Sequence, residues 1–138
     1  MATRLQPLDR SQCLAHLAEG VVGRLAVIDG ATPTILPVNY QLDGESILFR
    51  TDPGLKLSAG PRSPVSFEID EIDRATRTGW SVLVAGHLEE VTRYDRTWQR
   101  ATSLPVDPWA GGAKEHWMRL VPTRITGRVV TPASTVGA

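Results

Sequence analysis

The sequence predicts a small, mainly β protein, a six-stranded antiparallel barrel with short helices set between some of its strands. Three observations carry that expectation. Segments that alternate apolar and polar residues recur through most of the chain, turn dipeptides separate them, and the helical stretches are too few to serve as parallel crossovers. With 138 residues, 41% of them hydrophobic, the chain suits one domain, residues 1–138, with its own core.

The first predicted element is a helix. Asp9 is placed to cap it, Gln12 follows three residues later, and Cys13, Leu14, Leu17 and Ala18 recur at helical spacing until Gly20. Strands follow from Val21 to Ile28, Thr34 to Gln41 and Ile47 to Thr51, with turns at Asp29-Gly30-Ala31 and Asp43-Gly44. In the second turn the glycine supplies the positive φ that a short hairpin requires. Pro53 to Gly60 reads as a short helix, closed by the prolines at 61 and 64, and Val65, Phe67 and Ile69 alternate in a fourth strand.

Asp70 to Thr78 is dense in charge and reads as a solvated loop. The apolar run from Trp80 to Val91 is the fifth strand. Tyr94, Trp98 and Ala101 place a helix over Tyr94 to Ser103, and the prolines and glycines of Leu104 to Gly112 make a loop, carrying Trp109, able to close over a site. The last strand spans about His116 to Val130, with Pro122 marking a bulge or an edge, and the tail Thr131 to Ala138 reads as disordered.

Charge and motifs exclude several function classes. Lys plus Arg and Asp plus Glu number 15 each, so no net field favours nucleic acid or a membrane surface. Cys13 is the single cysteine, which excludes an internal disulfide framework and a cysteine-based metal cluster. Residues Met1 to Pro7 carry no signal-peptide run and no later run reaches membrane-spanning length, so a soluble cytoplasmic protein is expected. His16, His87 and His116 lack partners at zinc-ligand spacing. With no nucleophile triad, Walker loop or dinucleotide fingerprint, demanding chemistry has to come from a cofactor.

One cluster suits an anionic group. Arg50 and Thr51 end the third strand and Lys56 follows at once, offering a guanidinium, a hydroxyl and an ammonium to a phosphate.

Around that cluster the wording of the chain resembles the split-barrel flavin-binding family typified by pyridoxamine 5'-phosphate oxidase, in its short nitroimidazole-resistance-like branch. The segments that carry the resemblance are Val22-Gly-Arg-Leu-Ala-Val27, Pro37-Val-Asn-Tyr40, Asp43-Gly44, Ile47-Leu-Phe-Arg-Thr51, Gly54-Leu-Lys56, Pro64-Val-Ser-Phe-Glu-Ile-Asp70 and Gly79-Trp-Ser-Val-Leu-Val-Ala-Gly86. They span residues 9–91, and Arg119 to Gly127 is similar to the family's final strand.

The resemblance implies a split barrel and a homodimer whose two cofactor sites are each lined by both chains. FMN is the implied cofactor, with a deazaflavin such as coenzyme F-420 as the alternative. Carried over by position, Arg50, Thr51, Lys56 and Leu57 surround the phosphate, and Val38 and Asn39 edge the isoalloxazine ring. Trp80, Ser81 and Val82 approach it, often from the second subunit. The implied activity is hydride or electron transfer to a small organic acceptor, and a non-catalytic flavin- or haem-binding module is the second class of reading. The chain has no recognisable C-terminal substrate-phosphate motif, which argues against oxidation of vitamin B6 phosphates.

Overall fold

Gly30 and Gly44, with φ of 61° and 64°, turn the two hairpins that organise the first half of the chain. The computed structural model describes residues 2–52, 63–110 and 116–132. Its elements are β1 (Thr3–Leu8), α1 (Arg10–Glu19), β2 (Val22–Asp29), β3 (Thr32–Asp43), β4 (Ser46–Thr51), β5 (Pro64–Asp73), β6 (Thr78–Val91), α2 (Trp98–Ser103) and β7 (His116–Pro132). The strands run in the order β1-β7-β4-β3-β2-β5-β6, and β6 pairs again with β7, so the sheet closes on itself.

The closed ring consists of the six expected strands. A seventh, β1, was not expected. It lies antiparallel to the far half of β7, from Thr3 opposite Pro132 to Leu8 opposite Gly127, whereas β4 pairs with the near half between His116 and Leu120. Every side chain of β1 up to Pro7 is exposed, so main-chain pairing holds the strand and no buried apolar face marks it in the sequence. The same ladder draws Thr131 and Pro132 into β7, against the expectation of a disordered tail beginning there.

Two other boundaries move. Residues 70–78, expected as a loop, are mostly strand: β5 and β6 stay paired out to Asp73 opposite Thr78, and the turn shrinks to Arg74–Arg77. Asp73 Oδ1 accepts the amides of Ala75 and Thr76 at 2.9 and 3.3 Å, which supports that turn. The α2 helix begins at Trp98 instead of Tyr94, which is 84% exposed and carries the Arg93 guanidinium over its ring. The helix expected over Pro53 to Gly60, the glycines at 111 and 112 and the tail from residue 133 lie outside the described residues.

Other local expectations hold. Asp9 Oδ1 accepts the Gln12 amide at 2.8 Å and Gln12 Oε1 accepts the Asp9 amide at 2.9 Å, a complete capping box. The β6–β7 register slips where Ala85 faces Arg124 but Gly86 faces Pro122, leaving Thr123 as the extra residue of a bulge.

Alternation sorts the side chains into two cores. Inside the ring, Leu25, Val27, Phe49, Phe67, Val82, Val84 and Leu120 are fully buried or nearly so, and α1 plugs one end with Cys13 and Leu17. Tyr40 locks the plug by donating its hydroxyl to the Leu17 carbonyl at 2.8 Å, and burial pushes that phenol up to about 12. The second core lies outside the ring, where Leu48 of β4 and Val91 of β6 meet Ala101 of α2 and Val106 just beyond it. Asp43 fastens the same helix to the sheet: its carboxylate, 5% exposed, accepts Arg100 Nε at 2.8 Å and Arg119 Nη1 at 3.0 Å. Among the described residues no helix is long and apolar enough to cross a membrane.

Candidate functional site

The candidate residues fall into two groups, and β7 measures the distance between them. The first group closes the open end of the β3–β4 hairpin. Tyr40 and Phe49 are the last paired residues of that ladder, so Asn39 and Arg50 stand one step beyond, with Val38 and Thr51 next. Val38 and Thr51 are buried, at 7% and 5% exposure, while Asn39 and Arg50 are half-buried at the rim.

Arg50 is held on two sides. Its Nη1 donates to the Val106 carbonyl at 3.3 Å and its guanidinium carbon lies 5.1 Å from the centroid of Trp117, its neighbour across the β4–β7 ladder. Thr51 Oγ1 donates to the Asp52 carbonyl at 3.1 Å. Asn39 accepts the Trp109 amide at Oδ1, 2.8 Å away, and its Nδ2 faces the Val21 carbonyl at 3.5 Å. A guanidinium fixed over an aromatic face holds a positive charge in one place at little ordering cost, while the proton of the buried Thr51 hydroxyl beside it is engaged by the Asp52 carbonyl. Lys56 and Leu57, the other expected members of this group, lie outside the described residues.

The second group sits on β6. Val82 is fully buried, so its side chain belongs to the core and any ligand contact it makes is through the main chain. Trp80 faces the same way and is covered by His16 of α1, the two rings stacked with centroids 3.7 Å apart and planes 18° apart. Ser81 points to the opposite face, where it lines a cavity of about 580 Å³ with Asp70, Ile72, Thr78 and Arg128, and Trp80 reaches the edge of that cavity.

Within one chain these groups do not meet. Arg50 and Thr51 pair with Trp117 and His116 at the start of β7, whereas Trp80 and Ser81 pair with Val129 and Arg128 near its end. Twelve strand positions separate Trp117 from Val129, roughly 40 Å of strand contour. The two groups therefore lie toward opposite ends of β7.

Sequence reading missed the contacts that bind these groups to the rest of the fold. His16 on Trp80, Val106 under Arg50 and Trp109 against Asn39 join segments too far apart for any local periodicity to register them. Two other charged clusters are paired among themselves. Arg24 Nη1 bridges Glu68 and Asp70 at 3.0 and 3.2 Å, and burial, with the neighbouring Asp70, raises the Glu68 carboxyl. His116 Nδ1 lies 2.7 Å from Glu90, and no metal-ligand cluster occurs among the described residues.

A closed six-strand antiparallel ring, plugged by an N-terminal helix and flanked by a short outer helix, defines a small split barrel. The chain belongs to the pyridoxamine 5'-phosphate oxidase family, whose model matches residues 9–129. Rv0080, an uncharacterized protein of Mycobacterium tuberculosis, is 31% identical over 147 residues, covering 97% of this chain and 91% of the relative. The solved FAD binding protein of Mycobacterium smegmatis is 31% identical with a TM-score of 0.69, covering 91% of this chain and 98% of its own. A FAD-binding protein from Mesorhizobium loti shares the fold at a TM-score of 0.75 and 23% identity, over 94% of this chain and 99% of its own.

Proposed function

We propose that the protein binds a flavin nucleotide, FMN in the first instance, between two copies of the chain and uses it to reduce or oxidise a small organic molecule in the cytoplasm. The observation that carries this reading is the placement of the two candidate groups toward opposite ends of β7. Family membership and the FAD-binding relative supply the ligand class.

Each group has a part to play. Arg50, stiffened by Trp117 and Val106, supplies counter-charge to the phosphate, and the family resemblance assigns Thr51 and Lys56 to the same group, Thr51 by turning its hydroxyl from the Asp52 carbonyl. Val38 and Asn39 place a strand edge beside the ring, and the partner copy brings Trp80 and Ser81 to its far side. A bound flavin supplies hydride or single-electron chemistry. The chain supplies binding, orientation and shelter from water, and for that division of labour no separate acid or base is required.

Titration with FMN, FAD, riboflavin and a deazaflavin tests the reading. Tight binding of FMN is expected, and an Arg50→Ala variant should bind FMN about tenfold more weakly while riboflavin, which has no phosphate, is barely affected. If FMN and FAD both fail to bind the unaltered protein, the flavin reading is wrong. If Arg50→Ala weakens FMN and riboflavin equally, Arg50 does not hold the phosphate.

A further inference from the structure

Asn39 stands at the rim of the proposed site, yet its side chain is turned toward a distant part of its own chain. Its Oδ1 accepts the main-chain N–H of Trp109, 70 residues away in sequence, at 2.8 Å. Next to it, Arg50 Nη1 donates to the carbonyl of Val106, three residues earlier on the same segment. The two bonds pin Val106 to Trp109 against the ends of β3 and β4.

The segment is anchored at one end and open at the other. Val106 is buried in the outer core with Leu48, Val91 and Ala101, whereas Trp109 is 72% exposed. An indole left largely exposed keeps a wide apolar face in water, although its backbone is held by a specific bond. The main chain that carries it is held against Asn39, at the end of the site assigned to a planar ring and its phosphate.

We infer that Asn39 is a positioning residue: it holds Trp109 so that the indole forms a wall of the ligand site, against which a planar aromatic ring packs. The inference rests on the flavin reading for the identity of that ring. An amide suits the role, because its oxygen accepts the Trp109 N–H while its nitrogen faces the Val21 carbonyl, and alanine offers neither group. Substituting the Trp109 side chain leaves its backbone N–H in place, so the clasp and the wall can be removed separately.

Two measurements on the full chain test this. Without ligand, the Trp109 amide should exchange with solvent about tenfold faster in Asn39→Ala than in the unaltered protein. Unchanged exchange overturns the clasp, whatever the ligand proves to be. With riboflavin and FMN as probes, Asn39→Ala and Trp109→Leu should each weaken both by about tenfold, and the double variant should bind no more weakly than Trp109→Leu alone. Losses that multiply in the double variant would show that Asn39 touches the ligand itself and would overturn the positioning role. Unchanged affinity in Trp109→Leu overturns the wall, as does an effect of that variant confined to dimer dissociation. Failure of the unaltered protein to bind either probe refutes the flavin reading and the wall together, and the exchange measurement still decides the clasp.

Discussion

Replacing Asp43 with alanine is expected to lower the unfolding free energy by about 3–5 kcal/mol, seen as a fall in Tm of roughly 10–20 °C. The size of the effect comes from Arg119. That side chain is 13% exposed, its Nη1 donates to Asp43, and its buried Nη2 has no hydrogen-bond partner among the described residues. Without Asp43 a largely buried guanidinium loses the one counter-charge it has among the described residues. Arg100 is 69% exposed, so Arg100→Ala should cost no more than about 1 kcal/mol, which separates loss of the buried pair from loss of the outer one.

The same group predicts a pH dependence. Burial pushes the Asp43 carboxyl up, but hydrogen bonds and charge from Arg100 and Arg119 outweigh it and hold the group below its ordinary value. A carboxyl lowered in the folded state stabilises the fold fully above its unfolded value of about 4, and the contribution is lost as pH falls through the lower folded value. The stability gap between the unaltered protein and Asp43→Ala should therefore narrow below about pH 4. A gap that stays constant or widens there would mean that Asp43 does not titrate as described.

Phe67→Ala is the second large effect, at about 3–5 kcal/mol by chemical denaturation. Phe67 is fully buried, meets Tyr40 edge to face with centroids 4.9 Å apart, and pushes its ring tip into the space beside Gly23. A Cβ on Gly23 would stand 2.0 Å from Phe67 Cζ, so the two positions are matched in size. Gly23→Ala alone should destabilise by forcing the ring aside. Added to Phe67→Ala it should cost less, because the ring it collides with has gone. Costs that simply add would mean that the two positions are not in contact.

The parts of the fold that were legible in the sequence are those where burial alternates along the strand. Leu25 and Val27, Val65 with Phe67 and Ile69, and Val82 with Val84 mark ring strands because each points a fixed face inward. The capping box at Asp9 and the bulge at Pro122 were legible because each is a local steric or hydrogen-bonding rule. The β1 strand was not, since its side chains face water and its stability lies in main-chain pairing with residues at the other end of the chain. For the same reason charged residues from Asp70 to Asp73 looked like a loop: β5 extends there as an exposed edge, where polar side chains suit a strand as well as a turn.

For the candidate site, the rim residues were legible by residue type and by likeness to a family, but their working contacts were not. Arg50 on Trp117, Asn39 on Trp109 and His16 on Trp80 depend on the ring closing and on where α1 and the segment after α2 settle. The placement of the two groups toward the two ends of β7 became visible only through the register of three strands, since residues 50 and 80, on β4 and β6, give no sign in sequence of facing opposite ends of the third.

The division of the proposed site between two chains is the central claim, and mixing two damaged chains tests it most directly. Arg50→Glu places a negative charge where the phosphate is to bind, and Ser81→Trp fills the half contributed by the other copy, so each variant alone should bind little FMN. Co-expressed under different tags and purified as the mixed dimer, the two leave one site with both halves intact, and FMN binding should return at about one per dimer. A mixed dimer that binds no better than its parents, or an unaltered monomer that binds FMN tightly by itself, would contradict a site built from two chains.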